Sequence, residues 1–305
     1  MQTVMFGRSA LRGSRLAYGC WRLADGGAAE AGREAVRAAL EAGYTVFDHA
    51  DIYGQGACER IFGEVLAESP GLRDGLVLVS KCGIRRADEP TGAPYRYDAS
   101  RQHIVTSCEG SLRRLGVETM DVFLLHRPDP LMDPEEVASA FDGLRRAGKA
   151  REFGVSNFAP NQVEALQRAC GFPLVVNQVE ISLARWEPLV DGTLDQCLAE
   201  GITPMAWSPL AGGKLGDGAR RVLKSQEQYG TEALVGELDA VAAARGAGRT
   251  AVALAWLLRH PAGMVPVVGS VNPERIRAAA KASEMTMSRE EWYRLFTVAR
   301  GTPLP

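Results

Sequence analysis

Lysine is scarce in this sequence. Of 35 basic residues only five are lysine (Lys81, Lys149, Lys214, Lys224 and Lys281), and the rest are arginine. The two cations serve different geometries, so each lysine in such a chain marks chemistry that a planar guanidinium does poorly. Long apolar runs are missing as well. The longest clean stretch, residues 252–258, falls far short of the roughly 20 residues that span a bilayer. The opening MQTVMFGRSALRGSRL holds no apolar core of the signal-peptide kind. There is no polybasic run, and 35 basic residues against 37 acidic leave a net charge of -2. That balance offers no electrostatic footprint for nucleic acid or an anionic membrane. Six cysteines lie far apart with no Cys-x-x-Cys spacing, and we read them as reduced thiols filling the core. These absences lead us to expect a cytoplasmic protein that binds neither nucleic acid nor membrane, as a monomer or weak homo-oligomer.

What is present is a repeating alternation. Short apolar runs at 16–20, 45–49, 76–81, 121–126, 152–156, 174–178, 203–208 and 264–269 read as strands. Amphipathic stretches lie between them, at about 29–42, 57–68, 100–115, 134–147, 160–169, 192–200, 232–245 and 273–282. Near-continuous apolar strands separated by helices argue for a parallel sheet covered on both faces. Eight such units without a clear linker favour a closed (β/α)8 barrel over an open doubly wound sheet. We therefore expect one barrel domain spanning 1–305, opened by a β-hairpin and carrying extra helices at 250–259 and 288–299. Two long connections, 83–99 and 209–231, follow strand ends, on the face where barrels build their active sites.

Nucleotide fingerprints fail. GAGRTA at 246–251 fits the Rossmann pattern by letter but follows a helical run instead of a strand. GGKLG near 212–216 lacks the spacing of a P-loop.

Four polar residues instead fall at or just beyond three consecutive strand ends: Asp48 and Tyr53 in FDHADIYG, Lys81 in LVLVSKCG, and His126 in LLHRPDP. Singly, each has an ordinary structural reading: a turn cap, a rim aromatic, a hydrogen-bonded histidine. Lys81 is harder to dismiss, because a buried ammonium needs an anion and Asp48 is next door. Together the four make chemical sense. A tyrosine hydroxyl is a weak acid, and a nearby ammonium favours its phenolate. The aspartate would hold the lysine, and the histidine could polarise a carbonyl oxygen. Such a set suits protonation of an alkoxide formed from a carbonyl. A metal site built from His49, Asp51 and His126 fits poorly, since alternation turns His49 away from Asp48 and the other histidines, His103 and His260, fall in helical segments. We expect no metal.

The ordered motifs FDHADIYG, SKCG, LLHRPDP, FGVSNF, NQVE and MAWSPLAGG resemble the aldo-keto reductase superfamily, in its bacterial branch of unassigned substrate. The resemblance implies a barrel that binds NADPH (NADP+ after turnover) along its carboxyl face and reduces small aldehydes or ketones to alcohols. It implies Tyr53 as general acid, Lys81 as its partner, Asp48 as the anion for Lys81, and His126 orienting the carbonyl. Ser156, Asn157 and Gln178 would hold the carboxamide, with Trp207 stacked on the nicotinamide. Ser208, Leu210, Gly212 and Gly213 would approach the pyrophosphate. Ser270 and Arg275 would meet the 2'-phosphate, helped by free N–H groups where a helix starts near Asn272–Pro273. Trp21 would line the substrate pocket. Arg127 stands where many relatives carry Trp, and Gly269 where many carry Lys. A non-enzymatic nucleotide-binding subunit is the alternative on the same fold.

Overall fold

The apolar runs become eight parallel strands that close on themselves. The structure is a computed structural model and describes residues 1–27, 29–218 and 222–304. A hairpin comes first, with β1 (Thr3–Met5) antiparallel to β2 (Arg12–Ser14). The barrel starts with β3 (Ala17–Gly19), β4 (Val46–Asp48) and β5 (Val77–Cys82). A small antiparallel ribbon, β6 (Ile84–Arg85) with β7 (Arg96–Tyr97), then leaves the barrel. The wall continues through β8 (Met120–Leu125), β9 (Ala150–Ser156), β10 (Val176–Glu180), β11 (Thr203–Trp207) and β12 (Val265–Val268). Around the ring these eight follow one another in chain order, and β12 pairs with β3 to close it.

Helices cover the outside: α1 (Ala29–Glu41), α2 (Ala57–Glu68), α3 (Arg101–Leu115), α4 (Pro134–Arg146), α5 (Pro160–Ala169) and α6 (Thr193–Glu200). They continue with α7 (Glu232–Arg245), α8 (Arg249–Leu258), α9 (Pro273–Ala280) and α10 (Arg289–Arg300). Local chemistry sets their limits. Asp133 caps α4 by accepting from the Glu135 N–H, with Pro134 in the first turn where its missing N–H costs nothing. Ser100 caps α3, and Gly116 ends it at a φ of 68°. The outer core joins these helices to the outward faces of the strands, through Phe47, Phe62, Phe123, Phe141 and Phe153.

The inside of the barrel is a separate apolar column that includes Val46, Val77, Val79, Val122, Leu124, Val176, Met205 and Val265. Phe6, from the hairpin connection, is fully buried in the same column. It packs where the strands begin, so the hairpin plugs the amino-terminal end. The carboxyl end is left as the open face. Among the described residues no helix is long and apolar enough to cross a membrane. The expected barrel, hairpin and additional helices are all present. The connections at 83–99 and 209–231 are less irregular than the sequence implied: the first contains the β6–β7 ribbon, the second two single turns at Ala211–Gly213 and Lys224–Gln226.

Candidate active site

Side chains on a strand alternate between two faces, so a residue two positions beyond an inward valine also points inward. Asp48 lies two beyond Val46, Lys81 two beyond Val79, and His126 two beyond Leu124. Gln178 lies two beyond Val176, and Trp207 two beyond Met205. The apolar column thus ends in a polar layer, and that layer is the floor of a cleft of about 630 Å³ on the carboxyl face.

Lys81 is 0% exposed, and its ammonium is met from three directions. It donates to Asp48 Oδ2 at 2.8 Å, to the His49 carbonyl at 2.7 Å and to the Tyr53 hydroxyl at 3.2 Å. Burial works against its charge, but Asp48 and Tyr53 outweigh burial and hold its pKa above the ordinary value. Burial raises the Tyr53 pKa, Lys81 pulls it down, and Asp48 pushes it up again, leaving it above normal. The lysine acts in the direction the sequence predicts, but desolvation is the larger effect. The phenol is therefore protonated at neutral pH. His126 packs edge-on against Tyr53, with ring centroids 5.8 Å apart. Burial, then Lys81 and Arg127, hold its pKa well below normal, so the imidazole is neutral.

The other predicted residues line the same cleft, already tied to one another. Gln178 donates to Asp48 Oδ1 at 2.8 Å, and the Ser156 hydroxyl donates to the Gln178 carbonyl at 2.7 Å. Asn157, at a φ of 63°, gives its amide to the His126 carbonyl and accepts from Trp207 Nε1 at 2.9 Å. Ser208, at a φ of 51°, accepts from the Gly212 N–H and from Gln226. Non-glycine residues held in this region are strained, and such strain gathers at functional sites. Leu210, Gly212 and Gly213 form the next stretch of wall. Ser270 and Arg275 stand at the far end. The Arg275 side chain lies over Gly218, where an added Cβ would come 3.1 Å from its Nε. One expectation shrinks here. Pro273 has no N–H and Asn272 takes that of Arg275, so the start of α9 offers an anion less than the sequence promises.

Trp21 stands at the mouth, 37% exposed, with the Arg22 guanidinium carbon 4.7 Å from its ring centroid. A Cβ on Gly269 would come 3.0 Å from the Trp21 indole nitrogen. A side chain at 269 would need the indole to give way by a few tenths of an ångström.

Two residues that hold this wall were given no role there by the sequence. Asp217 accepts from the Arg249 and Thr250 N–H groups and so caps α8, tying the wall at 216–218 to that helix. Lys214 donates to the carbonyls of Gln226, Glu227 and Tyr229, each at 2.9 Å. The scarcity of lysine was the signal that could have found Lys214; Asp217, 33 residues from its partner Thr250, leaves no local signal. His49 is buried outside the barrel wall against Phe62, and burial drops its pKa to about 3. His103 lies on α3, and His260 sits just past the end of α8. Among the described residues no cluster of three His, Cys, Asp or Glu could hold a metal.

Two predictions follow from these burials. Lys81→Met leaves the 2%-exposed Asp48 with only Gln178 as a side-chain partner. Breaking one side of a buried pair costs about 3–5 kcal/mol, so urea unfolding should show a loss of that size. Parental stability would overturn the buried-pair account. Asp51 concerns pH. Its Oδ1 is buried without a partner, and burial, then the Glu59 carboxylate, push its pKa up to about 7. An unfolded aspartate loses its proton at about 3.9. Between those values the native chain holds the extra proton, so stability falls as pH rises through that window and stays reduced above it. Asp51→Asn should melt above the parent at pH 8, with the gap closing towards pH 4. A gap independent of pH would mean that the carboxyl titrates normally.

This geometry agrees with the relatives of the chain. The sequence profile of the Aldo/keto reductase family matches residues 15–299. The chain is 43% identical over 302 residues to the uncharacterized oxidoreductase YcsN of Bacillus subtilis (strain 168), covering 97% of each. It is 44% identical over 294 residues to a 6-dehydroglucose reductase of Agrobacterium fabrum, covering 94% of this chain and 95% of the other. The crystal structure of the thermostable aldo-keto reductase Tm1743, in complex with the inhibitor epalrestat, superposes with a TM-score of 0.83 at 28% identity, covering 98% of this chain and 100% of that one. With a barrel of this order and a profile match along nearly its full length, the chain belongs to the aldo/keto reductase family of oxidoreductases.

Proposed function

We propose that this protein is an NADPH-dependent reductase of aldehydes or ketones in which Tyr53 is the general acid. The observation that carries the reading is the Tyr53 hydroxyl, 3.2 Å from a buried ammonium and beside a neutral imidazole at the floor of the cleft. Reducing a carbonyl builds negative charge on its oxygen. Tyr53, protonated at neutral pH, can give that oxygen a proton. Lys81 then faces the phenolate it leaves, and Asp48 keeps Lys81 charged. His126, being neutral, offers one ring N–H to the same oxygen without competing as the acid.

The cleft suits a dinucleotide. Gly212, Gly213, Gly216 and Gly218 bring backbone to its wall, and the Arg275 guanidinium makes no ion pair among the described residues. When bound, NADPH supplies the hydride that the carbonyl carbon receives. Ser156, Asn157 and Gln178 would hold the carboxamide, and Trp207 would stack on the ring. Ser208, Leu210, Gly212 and Gly213 would border the pyrophosphate, while Ser270 and Arg275 would read the 2'-phosphate. Trp21, at the mouth, borders the substrate. A sugar-derived aldehyde, of the kind named for the Agrobacterium relative, belongs in the first substrate panel.

Tyr53→Phe keeps the ring and removes the donor. Turnover should fall by about 10²–10⁴-fold with NADPH affinity unchanged in a fluorescence titration. Activity within about threefold of the parent would remove Tyr53 from the acid role. Arg275→Met should weaken NADPH by about 10–100-fold and leave NADH untouched. Equal weakening of both cofactors would show that Arg275 supports the fold instead of reading a phosphate.

A further inference from the structure

Arg127 follows His126 directly and lines the same end of the cleft as Trp21 and Tyr53. It is half-buried, and its guanidinium carbon lies 5.6 Å from the Trp207 ring centroid. Among the described residues the guanidinium makes no hydrogen bond and no ion pair; it meets the Trp207 ring and, at longer range, the charge of Glu180. Most of the arginines on the helices behave differently. Arg33, Arg37, Arg245 and Arg249 each hold a carboxylate.

The carboxylates around the cleft are already taken. Asp48 holds Lys81 and Gln178. Asp217 caps α8. Glu180, whose charge Arg127 feels, accepts from Gln226 at 2.6 Å. Asp48 is neutralised by Lys81, which leaves Arg127 as the cation on the cleft lining beside Tyr53 and His126. A guanidinium over an aromatic ring keeps its fork of donors in a fixed plane, matched to the paired oxygens of a carboxylate or phosphate. A neutral aldehyde offers it no such pair.

We propose that Arg127 is a specificity-determining residue that selects short carbonyl compounds carrying an anionic group, a carboxylate or phosphate, close to the carbonyl. This rests on the carbonyl-reductase reading above. An anion held by the residue next to His126 places the carbonyl against His126 and Tyr53, so the charged group would orient the substrate as well as bind it.

Matched pairs test this: succinic semialdehyde against butanal, and glyceraldehyde 3-phosphate against glyceraldehyde. The readout is kcat/KM for NADPH oxidation by the parent, Arg127→Met and Arg127→Lys. The parent should favour the charged member of at least one pair by about 10–100-fold. The pair that shows the preference identifies carboxylate or phosphate as the ligand. Arg127→Met should bring that ratio near one, mainly through KM, and Arg127→Lys should keep part of it. Because each ratio is internal to one variant, a general loss of activity does not mimic the result. NADPH affinity, titrated in both variants, reports separately any effect that passes through the Trp207 ring. A parent that prefers the neutral members, or a ratio that survives in Arg127→Met, would overturn the assignment. So would tighter NADPH binding in Arg127→Met with the ratio intact, which would mean that Arg127 only covers the Trp207 ring. If NADPH binds but no aldehyde of either pair is reduced, the carbonyl-reductase reading fails, and this assignment fails with it.

Discussion

A fully buried ammonium is the most demanding group in this molecule, and the site is arranged around it. Lys81 has no access to water, so its three donors must all find acceptors inside the protein. They find a carboxylate on β4, a carbonyl just after β4, and a phenol five residues beyond Asp48. Satisfying the lysine therefore fixes the path of the chain from Asp48 to Tyr53. The same contacts make Tyr53 chemically useful. Burial alone would leave a phenol that holds its proton too tightly, and the adjacent cation offsets part of that effect. Stability and proposed reactivity share one hydrogen-bond set, so a change made for one is felt by the other.

Lys214, between the lining residues Gly213 and Gly216, likewise finds three acceptors. It meets three backbone carbonyls spread over Gln226 to Tyr229. An ammonium can aim three donors at acceptors arranged around it, whereas a guanidinium confines its donors to one plane. In a chain rich in arginine, the two lysines that meet three acceptors lie behind residues that line the cleft, Lys81 behind Asp48 and Tyr53 and Lys214 behind Gln226. Asp217 ties the same wall to the first turn of α8. The segment from Ser208 to Gly218 is thus fixed at both ends, and the strained backbone at Ser208 and Ala211 is supported by those ties.

The floor of the site was legible in the sequence because a barrel strand has a period of two. Once Val46, Val79 and Leu124 are inward, Asp48, Lys81 and His126 must be inward too. The strands and helices were legible for the same reason, from their apolar spacing. The walls were not. Asp217 with Thr250, Gln226 with Ser208, and Trp21 with Gly269 meet only after folding, and nothing near any one of them announces the other. The start of α9 shows the converse failure. Its letters promised free N–H groups, but the proline lacks one and the cap consumes another. The pKa of Tyr53 was half legible: the sign of the lysine's effect follows from charge, but its rank against desolvation needs the burial.

The cations on the cleft lining are unevenly placed. Gly269, packed beside the Trp21 indole, brings no cation to the cleft. In the proposed reaction, reading of the 2'-phosphate then falls mostly on Arg275, over Gly218 and without an ion pair of its own among the described residues. Beside the reacting groups, Arg127 follows His126, with its guanidinium over the Trp207 ring. In that reaction Arg275 would serve the cofactor and Arg127 the substrate. In the proposed reaction such a site would select both by the 2'-phosphate of the cofactor and by what the carbonyl compound carries next to its reacting carbon.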